Sequence, residues 1–222
     1  MTDIKICGLS TPETLEAALT AGVEMIGLVF HPKSPRFVQP KEAAALAAMA
    51  RGRAEIVALV VDRSPGEVND LVEAVRPDWL QLHGRETPEA VRAVREATGL
   101  RAIKALGIAD RHDLAAFAAY QGIADRILLD AKPPKDAAYP GGHGRTFDWS
   151  ILAALDRTSP FMLSGGLDPA NVAQAIAMAR PWGVDVSSGV ERAPGVKDVE
   201  RIRDFVVAAR AAAAAATEAG RT

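Results

Sequence analysis

Cysteine is almost absent from this chain of 222 residues, which holds only Cys7. One cysteine closes no intramolecular disulfide, so nothing in the sequence asks for an oxidising compartment. An excess of either charge is also missing. Lys and Arg number 26 against 28 Asp and Glu, a formal net charge of -2, with no cationic stripe. That balance argues against a nucleic-acid surface. No stretch reaches the ~18 apolar residues of a membrane span, and no basic run followed by an apolar segment opens the chain. The expectation is a soluble cytoplasmic protein without membrane or nucleic-acid partners. A glycine-rich dinucleotide turn is lacking too, because "CGLSTPET" after the first strand does not have its spacing.

What is present is an ordinary globular composition, 49% hydrophobic and 24% charged, long enough for one sizeable core. Short β-rich runs alternate with helical ones. Strand candidates are Ile4 to Leu9, Met25 to Phe30, Glu55 to Val61 and Trp79 to Gly84, then runs from Arg101, Asp125, Phe161 and Gly183. The helical stretches between them, such as "TPETLEAALTAG" and "TPEAVRAVREATG", open on a polar cap with Pro and Glu in the first turn and close on Gly. "LDPANVAQAIAMA" follows the same grammar. Eight strand–helix units predict an α/β fold, a parallel eight-stranded sheet closed into a (β/α)8 TIM barrel. The competing arrangement is an open doubly wound sheet. One domain spans 1–222, with an Ala-rich end expected to fray from about 211.

Polar residues have no structural reason to sit inside apolar strands, and alternate strand positions share a face. Lys5 and Cys7 share one, Gln81 and His83 another, Asp185 and Ser187 a third, and Asp130 ends the sixth strand. These groups gather at the C-terminal rim, where barrels of this kind build their sites. Each also has a plainer reading. A buried Cys is ordinarily a small hydrophobe, Asp130 would cap a loop, and His83 would be a satisfied core histidine. Lys5 beside Cys7 favours chemistry, since a nearby ammonium lowers a thiol from about 8.5 toward neutrality.

Two glycine-bearing turns, "SGGLDP" and "SSGVER", follow the seventh and eighth strands, where barrels often hold phosphate on backbone N–H groups. Gly165, Gly166, Ser187, Ser188 and Gly189 are the candidate ligands, with Arg192 as the nearest cation; ordinary tight turns are the alternative. Arg36, in the loop "HPKSPRFVQP", suits a planar carboxylate, against the default of a solvated arginine. The loop "KPPKDAAYPGGHGRTFDW" reads as a lid or a connector.

Seven segments in order, "KICGL", "GLVFHPKSPRFV", "LQLHG", "LLDAK", "GGHGRTFDW", "LSGGLDPANV" and "GVDVSSGVE", resemble the phosphoribosylanthranilate isomerase family of tryptophan biosynthesis. The resemblance runs from Lys5 to about Lys197. It implies an Amadori rearrangement of N-(5-phosphoribosyl)anthranilate with no cofactor. No metal is expected, and the chain is expected to be a monomer or homodimer, a choice the sequence does not settle. The resemblance further implies Asp130 as general acid, Cys7 as general base, Arg36 on the anthranilate carboxylate and the two turns on the phosphate. Gln81, His83 and Asp185 are the remaining substrate-binding candidates. His143 stands where the family usually has a small hydroxyl residue.

Three alternatives remain. The sister isomerase of histidine biosynthesis, or a bifunctional barrel, would have Asp and not Cys on the first strand. A metal-dependent epimerase would need more strand-end ligands than His31 and His83. A non-catalytic phosphate-binding barrel would bind ligand without turnover.

Overall fold

The first four helices all start where a polar residue precedes proline. They are α1 (Pro12–Thr20), α2 (Pro40–Ala50), α3 (Pro65–Val75) and α4 (Pro88–Thr98). Proline at the first turn gives up an N–H that has no intrahelical partner and presets φ for the helix. Ahead of α3, the Ser64 Oγ accepts from Glu67 N–H at 3.4 Å while Ser64 N–H donates to the Glu67 carboxylate at 3.0 Å. That reciprocal pair satisfies two otherwise orphaned donors.

The computed structural model describes residues 2–134, 136–137, 139–155 and 160–219, the side chains of 217–219 excepted. The strands are β1 (Asp3–Cys7), β2 (Met25–Val29), β3 (Glu55–Val60), β4 (Trp79–Leu82), β5 (Arg101–Ile108), β6 (Arg126–Ala131), β7 (Phe161–Leu163) and β8 (Gly183–Val186). All neighbours pair in parallel and β8 returns to β1, so the sheet is a closed eight-stranded barrel. The open-sheet alternative is thereby excluded.

Three helices complete the chain: α5 (Ala115–Tyr120), α6 (Val172–Ala179) and α7 (Val199–Ala219). Two details differ from the sequence pattern. Between β6 and β7 the described residues hold a 3-10 turn, Trp149–Ala154, in place of an α-helix. And α6 starts later than its Asp-Pro signal, because the Asp168 carboxylate first closes a turn by accepting from the N–H groups of Ala170 and Asn171.

The Ala-rich C-terminal segment belongs to α7. Its helix continues to Ala219 with Ala213 buried, as the high helix propensity of alanine favours. Arg210 anchors it by donating to Thr2 O, Gly22 O and the Glu24 carboxylate. Residues 220–222 of that end lie outside the described residues.

Outside the barrel, the strand faces carrying Ile4, Ile6, Leu80, Leu82 and Leu129 pack beneath the helices. Inside, Met25, Val57, Trp79, Ile103, Leu128 and Met162 form an apolar layer. Burial of side chains this size is worth about 1.5–3 kcal/mol each. Nearer the strand C-termini come Lys5, Gln81 and Asp185, all buried, and the small cluster of Cys7, Val29 and Leu59. The apolar layer seals one end, so the polar groups open only toward the other. No helix among the described residues is long and apolar enough to cross a membrane.

Candidate active site

The register of the barrel places Lys5 opposite Asp185 and Cys7 opposite Gly27. Lys5 Nζ donates to Asp185 Oδ1 at 2.8 Å, and Ser164 Oγ donates to Asp185 Oδ2 at 3.2 Å. A Cβ on Gly27 would lie 2.9 Å from the Cys7 sulfur and 3.2 Å from Lys5 Nζ. Glycine within an apolar strand therefore makes the room in which the thiol and ammonium sit. The sequence reading passed over it.

Burial pushes the Cys7 thiol up, more than Lys5 pulls it down, and Asp185 adds to the rise. The expected shift toward neutrality is thus corrected. Lys5 is near enough, but its charge is already engaged by Asp185. Burial opposes the Lys5 charge as well, yet Asp185 and Cys7 outweigh it and hold the ammonium above its ordinary value. A thiol of this kind is a scarcer thiolate but a stronger base.

Asp130, Gln81 and His83 form a second group. Gln81 Nε2 lies 3.1 Å from His83 Nδ1, and His83 Nε2 lies 3.2 Å from Asp130 Oδ2. With the amide nitrogen donating, Nδ1 accepts and the Nε2–H points at Asp130. Gln81 Oε1 is buried without a partner among the described residues. Over this row lies the Pro140–Gly142 segment: a Cβ on Gly141 would come within 2.6 Å of Asp130 Oδ2 and 3.1 Å of His83 Nε2. Its φ of +74° is a left-handed conformation that glycine alone adopts without strain. Tyr139 and His143 stack at 4.8 Å between ring centroids beside it.

Arg36 is buried, not solvated. Its Nε donates to Glu191 Oε1 at 2.7 Å, and its Nη2 donates to Glu191 Oε2 at 2.9 Å and to Gly142 O at 3.2 Å. Glu191 sits on β9 (Glu191–Ala193), which pairs antiparallel with β10 (Val196–Lys197) and brings Lys197 opposite Glu191. Lys197 Nζ donates to Glu191 Oε1 at 2.7 Å, to Ser187 O at 2.9 Å and to Ser187 Oγ at 3.1 Å. Burial raises Glu191, but Arg36 and Lys197 together hold it below the usual carboxylate range. Burial lowers Lys197 to about 8, with Glu191 opposing. Sequence reasoning missed both residues and named Arg192 as the nearest cation. The Pro194-Gly195 dipeptide, a hairpin signal, was the clue to the hairpin that pairs them.

The glycines of the two turns divide by role. Gly165 and Gly166 have φ of +88° and +64°, and a Cβ on Gly165 would run into the Ala131 backbone. A Cβ on Gly189 would collide with Leu167 O, so its smallness lets the β7 and β8 turns lie side by side. Ser187 immediately precedes a 3-10 turn, Ser188–Val190, and its hydroxyl donates to Cys7 O at 3.0 Å.

A narrow cavity, partly open to solvent, is lined by Cys7, Arg36, Gln81, His83, Asp130, Asp185 and Ser187, with Val29, Leu59 and Val61 as its apolar wall. Seven of the candidates thus converge on one space. Gly165, Gly166, Ser188 and Gly189 stand outside its wall, in the turns beside Ser187.

The family model for N-(5'-phosphoribosyl)anthranilate isomerase matches residues 4–208. The chain belongs to this family. The enzyme of that name from Afipia carboxidovorans is 60% identical over 94% of this chain and 89% of its own. That of Rhodopseudomonas palustris is 56% identical over 94% and 95%. The solved phosphoribosyl anthranilate isomerase of Thermotoga maritima superposes with a TM-score of 0.86 at 38% identity, over 95% of this chain and all of the other. Another solved isomerase, in complex with reduced 1-(o-carboxyphenylamino)-1-deoxyribulose 5-phosphate, has a TM-score of 0.83 at 35% identity over the same shares. The family membership leaves the epimerase and the histidine-pathway barrel behind.

Proposed function

We propose that this chain converts N-(5'-phosphoribosyl)anthranilate to 1-(2-carboxyphenylamino)-1-deoxyribulose 5-phosphate, an aldose–ketose isomerisation by Amadori rearrangement in tryptophan biosynthesis. The observation that carries the reading is the meeting of Cys7 and Asp130, from strands on different sides of the barrel, in one cavity that Arg36 also lines. Family membership supplies the substrate class, a phosphorylated small molecule.

In this reading Asp130 gives a proton to the furanose ring oxygen as the C1–O bond breaks, leaving an iminium between C1 and the anthranilate nitrogen. The Asp130 carboxylate that remains is met by the His83 Nε2–H. Cys7, as thiolate, then removes the C2 proton, whose electrons flow toward the iminium nitrogen and give the enolamine. Tautomerisation to the ketone completes a sequence with no net oxidation. The iminium makes C2 acidic, so a thiolate suffices as base. Lys5 stabilises that thiolate, and Asp185 holds Lys5 in place. Gln81 Oε1 is available to a substrate hydroxyl.

Arg36 takes the anthranilate carboxylate, and Val29, Leu59 and Val61 offer the ring an apolar wall. The phosphate lies against the β7 and β8 turns. Gly165 and Gly166 let backbone N–H groups approach it, and Gly189 keeps Ser187 and Ser188 alongside. We infer a cytoplasmic location from the biosynthetic role. For assembly we infer a monomer or a homodimer, as both forms are described for the Thermotoga maritima isomerase. Growth of a tryptophan auxotroph lacking the isomerase, restored by this chain, is the expected result; failure despite soluble expression would count against the assignment.

A further inference from the structure

A guanidinium has two edges that can each grip a carboxylate, Nε with one Nη, and the pair of Nη groups. On Arg36 the first edge is taken. Glu191 accepts from Nε and Nη2 at 2.7 and 2.9 Å, with both side chains buried. The second edge faces the cavity roof, where a Cβ on Gly142 would come within 2.6 Å of Nη1. The Gly142 carbonyl accepts from Nη2 there, at 3.2 Å.

Holding Arg36 with a carboxylate has a cost, because Glu191 cancels the charge that would attract an anionic ligand. Lys197 offsets that cost. Its buried ammonium lies 2.7 Å from Glu191 Oε1, so Arg36, Glu191 and Lys197 together carry one net positive charge. The hairpin carrying Glu191 and Lys197 is itself fixed against the Arg36 loop: a Cβ on Gly195 would collide with the Pro35 carbonyl, and Gly195 N–H donates to Glu191 Oε2 at 3.1 Å. Lys197 also bonds Ser187, whose hydroxyl donates to the Cys7 carbonyl. One set of contacts thus links the Arg36 fork to the peptide of Cys7.

We propose that Glu191 and Lys197 are positioning residues for the carboxylate of the substrate: Glu191 locks one edge of Arg36 so that the other, which the Gly142 carbonyl caps in this structure, is the edge the substrate carboxylate takes in place of that carbonyl, and Lys197 restores the charge that Glu191 removes. This rests on the reading of Arg36 as the carboxylate partner. It accounts for a buried three-charge cluster that the acid–base steps do not use. It also makes carboxylate selectivity a property of the β9–β10 hairpin as much as of the Arg36 loop.

The test compares two ligands by calorimetry. One is the reduced product analogue, 1-(2-carboxyphenylamino)-1-deoxyribulose 5-phosphate reduced at its ketone; the other is its phenylamino counterpart without the carboxylate. The proteins are the wild type, Arg36→Met, Glu191→Gln and the double variant Glu191→Gln/Lys197→Met. The double variant keeps the net charge of the cluster while releasing Arg36, and it decides the question if Glu191→Gln alone is poorly folded. We expect the preference for the carboxylated ligand to fall roughly 10- to 100-fold in Arg36→Met and in the double variant. In turnover the double variant should show a larger rise in KM than fall in kcat. A double variant with wild-type preference, alongside an Arg36→Met that has lost it, overturns the proposal and spares the role of Arg36. Wild-type preference in Arg36→Met overturns both.

Discussion

Asp130 and His83 lie side by side at the rim of the barrel, the carboxylate Oδ2 3.2 Å from the imidazole Nε2, with Gly141 closing over the pair. The histidine ring is fixed from behind by Gln81. Asp130→Asn should lower kcat by about 10²–10⁴, the usual contribution of a general acid. His83→Asn should cost less, since it removes a support and leaves the donor. Steady-state kinetics on both variants check this, and a larger loss in His83→Asn than in Asp130→Asn would place the acid on His83.

Cys7→Ser should nearly abolish turnover, by about 10²–10⁴, while KM stays within about threefold. A hydroxyl fits the space of the thiol but is far too weak a base near neutral pH. Near-wild-type kcat would return Cys7 to the role of a small core residue. Gly27→Ala is the companion variant. The added methyl falls 2.9 Å from the sulfur, so it should lower kcat with little effect on phosphate inhibition.

The pH dependence of binding follows from Lys197, whose pKa lies at about 8 against an ordinary 10.5. Below about 8 the ammonium is charged and the Arg36–Glu191–Lys197 cluster carries one positive charge; above it the cluster is neutral. KM for the carboxylated substrate should therefore rise as pH passes through about 8. Cys7 lies in the same field and its own titration is read in kcat. Lys197→Arg should remove the rise in KM, and a rise that persists would assign it elsewhere. The stability sign is fixed as well. Between about 8 and 10.5 the unfolded chain holds a proton on Lys197 that the native one does not, so this group makes stability increase with pH there.

Inorganic phosphate should inhibit competitively by occupying the β7 and β8 turns. Gly166→Val changes no charge, but it forces a branched side chain to φ of +64° and against the Arg145 carbonyl. Phosphate inhibition and substrate affinity should weaken together. Unchanged inhibition would move the phosphate away from these turns.

The alternation of Lys5 and Cys7 with Ile4 and Ile6 was enough to place the thiol inside the barrel, because a strand's period of two leaves no other choice once one face is apolar. The same rule places Gln81 and Asp185, while Asp130 is placed by its position at the end of the sixth strand. What the pattern could not give was pairing between distant segments. Arg36 read as a loop arginine with an open fork, while its nearest partner, Glu191, is 155 positions away on a hairpin. Lys5 read as the neighbour that would acidify Cys7, but the register that spends its charge on Asp185 exists only once the barrel has closed. Gly189 read as a phosphate ligand, whereas the contact that demands glycine there comes from Leu167 on the neighbouring turn.

The most direct test of the account is turnover itself. Purified chain is mixed with N-(5'-phosphoribosyl)anthranilate, and loss of substrate and formation of the carboxyphenylamino ketose are followed together, with Cys7→Ser and Asp130→Asn measured in parallel. The account predicts stoichiometric conversion by the wild type and a fall of about 10²–10⁴ in kcat for each variant at similar substrate affinity. Saturable binding of the substrate by the wild type with no ketose formed would contradict it, and would leave the chain a phosphate-binding barrel without this chemistry.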